Sequence, residues 1–75
     1  MDYSAVMICP NGGIIRHEVT QLAANVQVGN FDSIDDAIAQ ACIDLDCTHL
    51  HKGVLSKGEG KGGFMVISNQ ELEEV

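Results

Sequence analysis

Phe31-Asp32-Ser33-Ile34-Asp35-Asp36-Ala37-Ile38-Ala39-Gln40-Ala41-Cys42-Ile43-Asp44-Leu45-Asp46, residues 31–46, is the stretch that decides the fold. Ile34, Ala37, Ile38, Ala41, Cys42 and Leu45 recur at helical spacing and mark one apolar face. Phe31-Asp32-Ser33 supplies capping residues, and Asp35 and Asp36 fall in the first turn, where the helix dipole favours negative charge. The spacing predicts an amphipathic helix over about 33–46. Its opposite face carries Asp36, Gln40 and the apolar Ile43.

Outward from this helix the chain alternates between apolar runs and turn residues. Tyr3 to Cys9 reads as a strand, with β-branched Val6 and Ile8, and Pro10-Asn11-Gly12-Gly13 as the turn after it. Ile14 to Thr20 is expected to return as a second strand, with Ile15, His17 and Val19 on one face. Residues 20–28 alternate as a strand would, with a bend near Gln21 where the apolar parity switches. A short helix within 18–28 is the alternative, since Val19, Leu22, Ala23 and Val26 also sit at helical spacing. Thr48 to Ser56 reads as a third strand and Gly63 to Ser68 as a fourth. A glycine-rich connection, Lys57-Gly58-Glu59-Gly60-Lys61-Gly62-Gly63, lies between them, and 69–75 reads as an acidic, frayed tail.

The expected fold class is therefore α+β: one ββαββ domain spanning 1–75, a four-stranded antiparallel sheet with the helix on one face. Val6-Met7-Ile8 and Phe64-Met65-Val66-Ile67 are apolar at successive positions, hence on both faces of their strands. One helix covers one sheet face. The second face is expected to be covered by residues 20–28, by self-association or by a partner.

Seventy-five residues make one small domain, which buries only about 60% of the surface its unfolded chain exposes. A composition 45% hydrophobic and 20% charged suits a folded chain. Eleven acidic residues against four basic ones give a net charge of −7. That balance opposes direct binding to nucleic acid or anionic membranes, whose affinity comes from Lys and Arg neutralising phosphate. It favours a partner with a basic surface. No apolar run approaches the roughly 20 residues of a membrane span, and Met1-Asp2-Tyr3 lacks a secretory n-region. A cytoplasmic protein is expected, with Cys9, Cys42 and Cys47 as reduced thiols.

Three constellations could carry chemistry. Gly58-Glu59-Gly60-Lys61-Gly62-Gly63 has glycines as phosphate-binding loops do, but lacks the Gly-Lys-Ser/Thr ending and the helix behind it. It reads as a hairpin tip bearing a secondary basic patch of Lys52, Lys57 and Lys61. Cys42, Cys47, His49 and His51 are residue types that zinc prefers. Their C-x4-C-x-H-x-H spacing matches no familiar finger, and in extended chain Cys47 and His51 stand about 13 Å apart. No metal or other cofactor is expected. Pairs such as Cys9 with His17, or Cys47 with His49, lack the positive field that activates a thiol, so no catalytic residue is assigned and the protein is not expected to be an enzyme.

What stands out is charge. Asp32, Asp35, Asp36, Asp44 and Asp46 crowd the helix with no base among them, and Glu71, Glu73 and Glu74 follow in the tail. Carboxylates spaced along a helix imitate a phosphate backbone. In its size, acidity, layout and lack of catalytic motifs the chain resembles phage-encoded inhibitors of host defence, anti-CRISPR proteins among them. The resemblance implies a non-enzymatic inhibitor or adaptor that engages a basic, nucleic-acid-binding protein. Asp32, Asp35, Asp36, Asp44 and Asp46 would supply charge, and Ile43 an apolar anchor. Two alternatives stand beside it: a metal-binding or redox module using Cys47, His49 and His51, and a structural homodimer joined through the uncovered sheet face.

Overall fold

Two apolar strands, β1 (Asp2–Ile8) and β5 (Gly63–Ser68), pair antiparallel at the centre of the sheet. The computed structural model describes residues 1–74. β2 (Asn25–Asn30) flanks β1, while β4 (Val54–Ser56) and then β3 (Thr48–His51) continue from β5, giving the order β2-β1-β5-β4-β3. Every pairing is antiparallel. Helix α1 (Ile34–Asp44) links the two edge strands, and a one-turn helix, α2 (Asn69–Leu72), follows β5. The class is small α+β with an antiparallel sheet and a helix, as expected. The strand count is five, not four, and the layout is ββαβββα rather than ββαββ.

The fifth strand comes from splitting the expected strand Thr48–Ser56. Lys52 and Gly53 both take positive φ, 48° and 82°. Two such residues in succession form the type I′ turn whose twist matches a hairpin. Lys-Gly is a weaker turn signal than Asn-Gly, so the alternation across 48–56 reads as one strand.

Ile14–Thr20 do not form a strand. The edge of β1 they would occupy is taken by Asn25–Asn30. Residues 14–24 instead form a loosely paired arm with single bridges at Ile8↔Ile14 and Arg16↔Ala23. Its two limbs meet at Met7, whose N–H donates to Ala24 O (2.8 Å) and whose carbonyl accepts from Ile15 N–H (3.0 Å). The bend near Gln21 is present, at φ 62°. The alternative helix within 18–28 does not form, because residues 25–27 pair with β1.

Side-chain parity divides the core in two. Tyr3, Ala5, Phe64 and Val66 face α1 and bury against Ala37, Ile38, Ala41 and Leu55. Val6 and Ile67 face the other way, where Ala23, Ile14 and Leu72 pack on them. The chain itself thus covers the middle of the second face, using the arm and α2 together. Buried, each of the larger side chains contributes about 1.5–3 kcal/mol of hydrophobic stabilisation.

In the stretch 69–75, where a frayed tail is expected, Ser68 Oγ caps α2 by accepting from Glu71 N–H (3.2 Å). Ser4, with no solvent exposure, closes a polar ring. Its hydroxyl donates to Asn69 Oδ1 and accepts from Gln27 Nε2 (2.9 Å), and Asn69 Nδ2 donates to Gln27 Oε1 (3.2 Å). Every member of the ring has a partner, so a buried hydroxyl costs little here. Val75 lies outside the described residues.

Candidate functional site

Helix α1 begins where Ser33, extended at φ −142°, accepts a hydrogen bond from Asp36 N–H (3.2 Å). Its last residue is Asp44, Leu45 caps it, and Asp46 beyond the cap adopts φ 52°. Between these points Ala37, Ile38 and Ala41 turn inward, and Asp35, Asp36, Ala39, Ile43 and Asp44 are exposed. At 100° per residue Ile43 lies opposite the buried stripe, two turns or about 10 Å beyond Asp36. It is 75% exposed, whereas Ile38 on the same helix is 8% exposed. Asp32, just before the helix, is exposed as well.

All six expected contact residues, Asp32, Asp35, Asp36, Ile43, Asp44 and Asp46, are therefore solvent-accessible on or beside one helix. Two of the carboxylates work against that helix. Asp44 and Asp46 stand at its C-terminal end, where the macrodipole is negative, and the last turn contains no basic residue. Gln40 Nε2 holds Asp44 Oδ1 (2.9 Å), one turn back along the helix.

The three lysines stand on two separate loops. Lys57 and Lys61 share the glycine loop, which closes with Lys57 N–H on Gly62 O (3.0 Å) and Lys61 N–H on Gly58 O (3.2 Å). Lys57 Nζ lies 5.0 Å from the Phe64 ring centroid, at cation–π distance. Lys52 sits at the β3–β4 turn, the other end of β4, about 16 Å of extended chain away.

Among the described residues no three His, Cys, Asp or Glu side chains converge as metal ligands do. Cys47, His49 and His51 are not brought together. A register shift between His49 and His51 interrupts their strand, and His49 Nε2 accepts the Gly53 N–H (3.2 Å). Cys9 donates to Asn11 Oδ1 and lines a cleft of about 290 Å³ with Ile8, Leu50, Val54 and Gly62.

One arrangement had no expectation attached. Beyond α1 the Cys47 N–H returns to Cys42 O (3.0 Å), and with Asp46 left-handed this is the six-to-one bond of a Schellman motif. The motif brings the backbones of Cys42 and Cys47 together. The Cys47 thiol is held above its ordinary range, first by burial and then by Cys42; Lys57 acts to lower it and Asp46 to raise it. The sequence signal was Asp46 itself, since Asp tolerates the left-handed conformation better than most residues. No family model matches the chain, and neither does any curated protein or solved structure.

Proposed function

We propose that the protein is a non-enzymatic binding protein, an inhibitor or adaptor that offers the outward face of α1 to a basic partner. The partner's contact surface is one that otherwise holds nucleic acid. Ile43 provides the apolar anchor, and Asp32, Asp35, Asp36, Asp44 and Asp46 the surrounding charge. The observation that carries this reading is Ile43, 75% exposed and set among carboxylates, two of which lie at the helix end that their charge disfavours. Residues that oppose local stability mark positions retained for another purpose. The likeness to phage-encoded inhibitors in size and acidity fits the same role.

The test is capture of partners from lysate with tagged protein, after nuclease treatment, followed by affinity measurement with variants. Asp36→Lys and Asp44→Lys are each expected to weaken binding about tenfold and to flatten its salt dependence. Undiminished affinity in both would remove the acidic face from consideration.

Asp46→Gly gives a sharper version. Glycine is the preferred residue at a left-handed helix end, and the change also removes a carboxylate from the negative pole of the dipole. Stability is expected to rise by about 1 kcal/mol, read as a higher urea midpoint. Affinity for the partner is expected to fall. A variant that is both more stable and equally tight-binding would show that Asp46 serves neither end.

A second reading, a homodimer, has its support elsewhere. Val19, 85% exposed, and Leu22 project from the arm, and Leu22 lines a groove of about 240 Å³ with Leu72. Sedimentation at rising concentration separates the two, because the homodimer reading needs no other protein.

A further inference from the structure

The geometry points to a modification site: Cys42 and Cys47 form a reversible intramolecular disulfide at the C-terminal end of α1.

Three observations converge on this pair. The six-to-one bond from Cys47 N–H to Cys42 O (3.0 Å) draws together two backbones five residues apart in sequence. In a Schellman motif these are two positions whose side chains are frequently in contact. Both side chains pack against the core cluster that faces α1, and both are only partly covered, so a small reagent reaches them. No large backbone movement is needed before the sulfurs can join, and disulfides form only where the two Cα positions already lie within a few ångströms of the required separation.

The surroundings favour a neutral product. Burial and the neighbouring sulfur hold the Cys47 proton on, and Cys47 Sγ donates to Leu45 O (3.4 Å). A soft metal ion would require both sulfurs as thiolates in that setting. A disulfide carries no charge and suits the same half-buried, apolar position.

The oxidant is a low-molecular-weight disulfide such as oxidised glutathione. One cysteine of the pair, as the thiolate, attacks a sulfur of the oxidant; a protein–glutathione mixed disulfide forms and one glutathione thiolate leaves. The second cysteine loses its proton to water and attacks the protein-side sulfur. The internal disulfide forms and the second glutathione thiolate leaves. Two protein thiols are oxidised and one disulfide is reduced.

Full-length protein is equilibrated with glutathione redox buffers, alkylated, digested with trypsin and weighed. Cleavage after Arg16 and Lys52 leaves Cys42 and Cys47 together on residues 17–52, with Cys9 on residues 1–16. The expected product is the 17–52 peptide, lighter by two hydrogens and unalkylated, with Cys9 alkylated. The ratio of this product to the dithiol is expected to be about tenfold greater in native buffer than in denaturant, since the folded helix end presents the pair. That comparison uses the unaltered chain and does not depend on any variant folding. Cys42→Ser and Cys47→Ser should each stop at a single glutathione adduct, whereas Cys9→Ser should oxidise as the parent does. Mixed disulfides on both cysteines with no internal link, a link to Cys9, or an equal ratio in native and denaturing buffer would each overturn the assignment.

Discussion

Gly63→Ala is expected to remove about 3 kcal/mol or more of stability, although it adds only one methyl group. Gly63 is buried in β5 between two strands, opposite Ile8 of β1 and Ser56 of β4. A Cβ placed there would run into the Leu55 carbonyl oxygen, and would lie 2.9 Å from the Leu55 carbonyl carbon and 3.2 Å from Ser56 Cα. Each obstacle is backbone, so no side chain can rotate out of the way. β4 would have to move, carrying β3 with it through their hairpin and drawing Leu55 out of the core. A chain of this length has a total stability on the order of 4–11 kcal/mol, so the loss takes a large share of it. Urea denaturation followed by circular dichroism checks the expectation through a lowered midpoint at similar slope. A midpoint within experimental error of the parent would mean that β4 does not approach β5 as closely as described.

This glycine also shows where sequence reading stops. Gly58, Gly60, Gly62 and Gly63 stand together in a flexible-looking connection, and nothing in composition separates the last from the others. Only the neighbouring strand does. Elements with strong local signals were legible: α1 from its 3.6-residue period and Ser33 cap, β5 to the residue, and β1 to within one residue at each end. Signals that depend on what lies alongside were not. Ile14–Thr20 alternates well enough for a strand, but β2 already holds the edge it would need. The β3–β4 turn was hidden because Lys52 adopts a conformation usually left to Asn or Gly.

The candidate site divides in the same way. Exposure of Ile43 and its carboxylates follows from the helical wheel, since one apolar stripe fixes its opposite face. The meeting of Cys42 with Cys47 depends on how the helix ends, and a left-handed Asp46 is a choice the local sequence permits without requiring. Coverage of the second sheet face by the arm and α2 rests on contacts between residues as distant as Val6, Ala23 and Leu72. No periodicity reports those.

Leu55→Ala is expected to cost about 4 kcal/mol, near the upper end of the range for large-to-small core changes. Leu55 is 1% exposed and heads the largest of the fully buried side chains. It pairs across strands with Phe64 and shares its core cluster with the small residues Ala37 and Ala41 of α1. Methyl side chains are too short to relax into the space left behind, so most of the cavity would persist. Leu50, five residues earlier in the same hairpin, is 58% exposed, and Leu50→Ala should change stability by less than about 0.5 kcal/mol. Ile43→Ala should be equally silent in a thermal melt while weakening partner binding about tenfold or more. The contrast tests the orientation of the helix as well as its packing. Were Ile43→Ala to destabilise as Leu55→Ala does, Ile43 would belong to the core. The outward face of α1 would then lose its only large apolar side chain. Silence in the melt together with loss of binding is the result that a surface anchor requires, because a residue held for packing cannot be removed without cost to the fold.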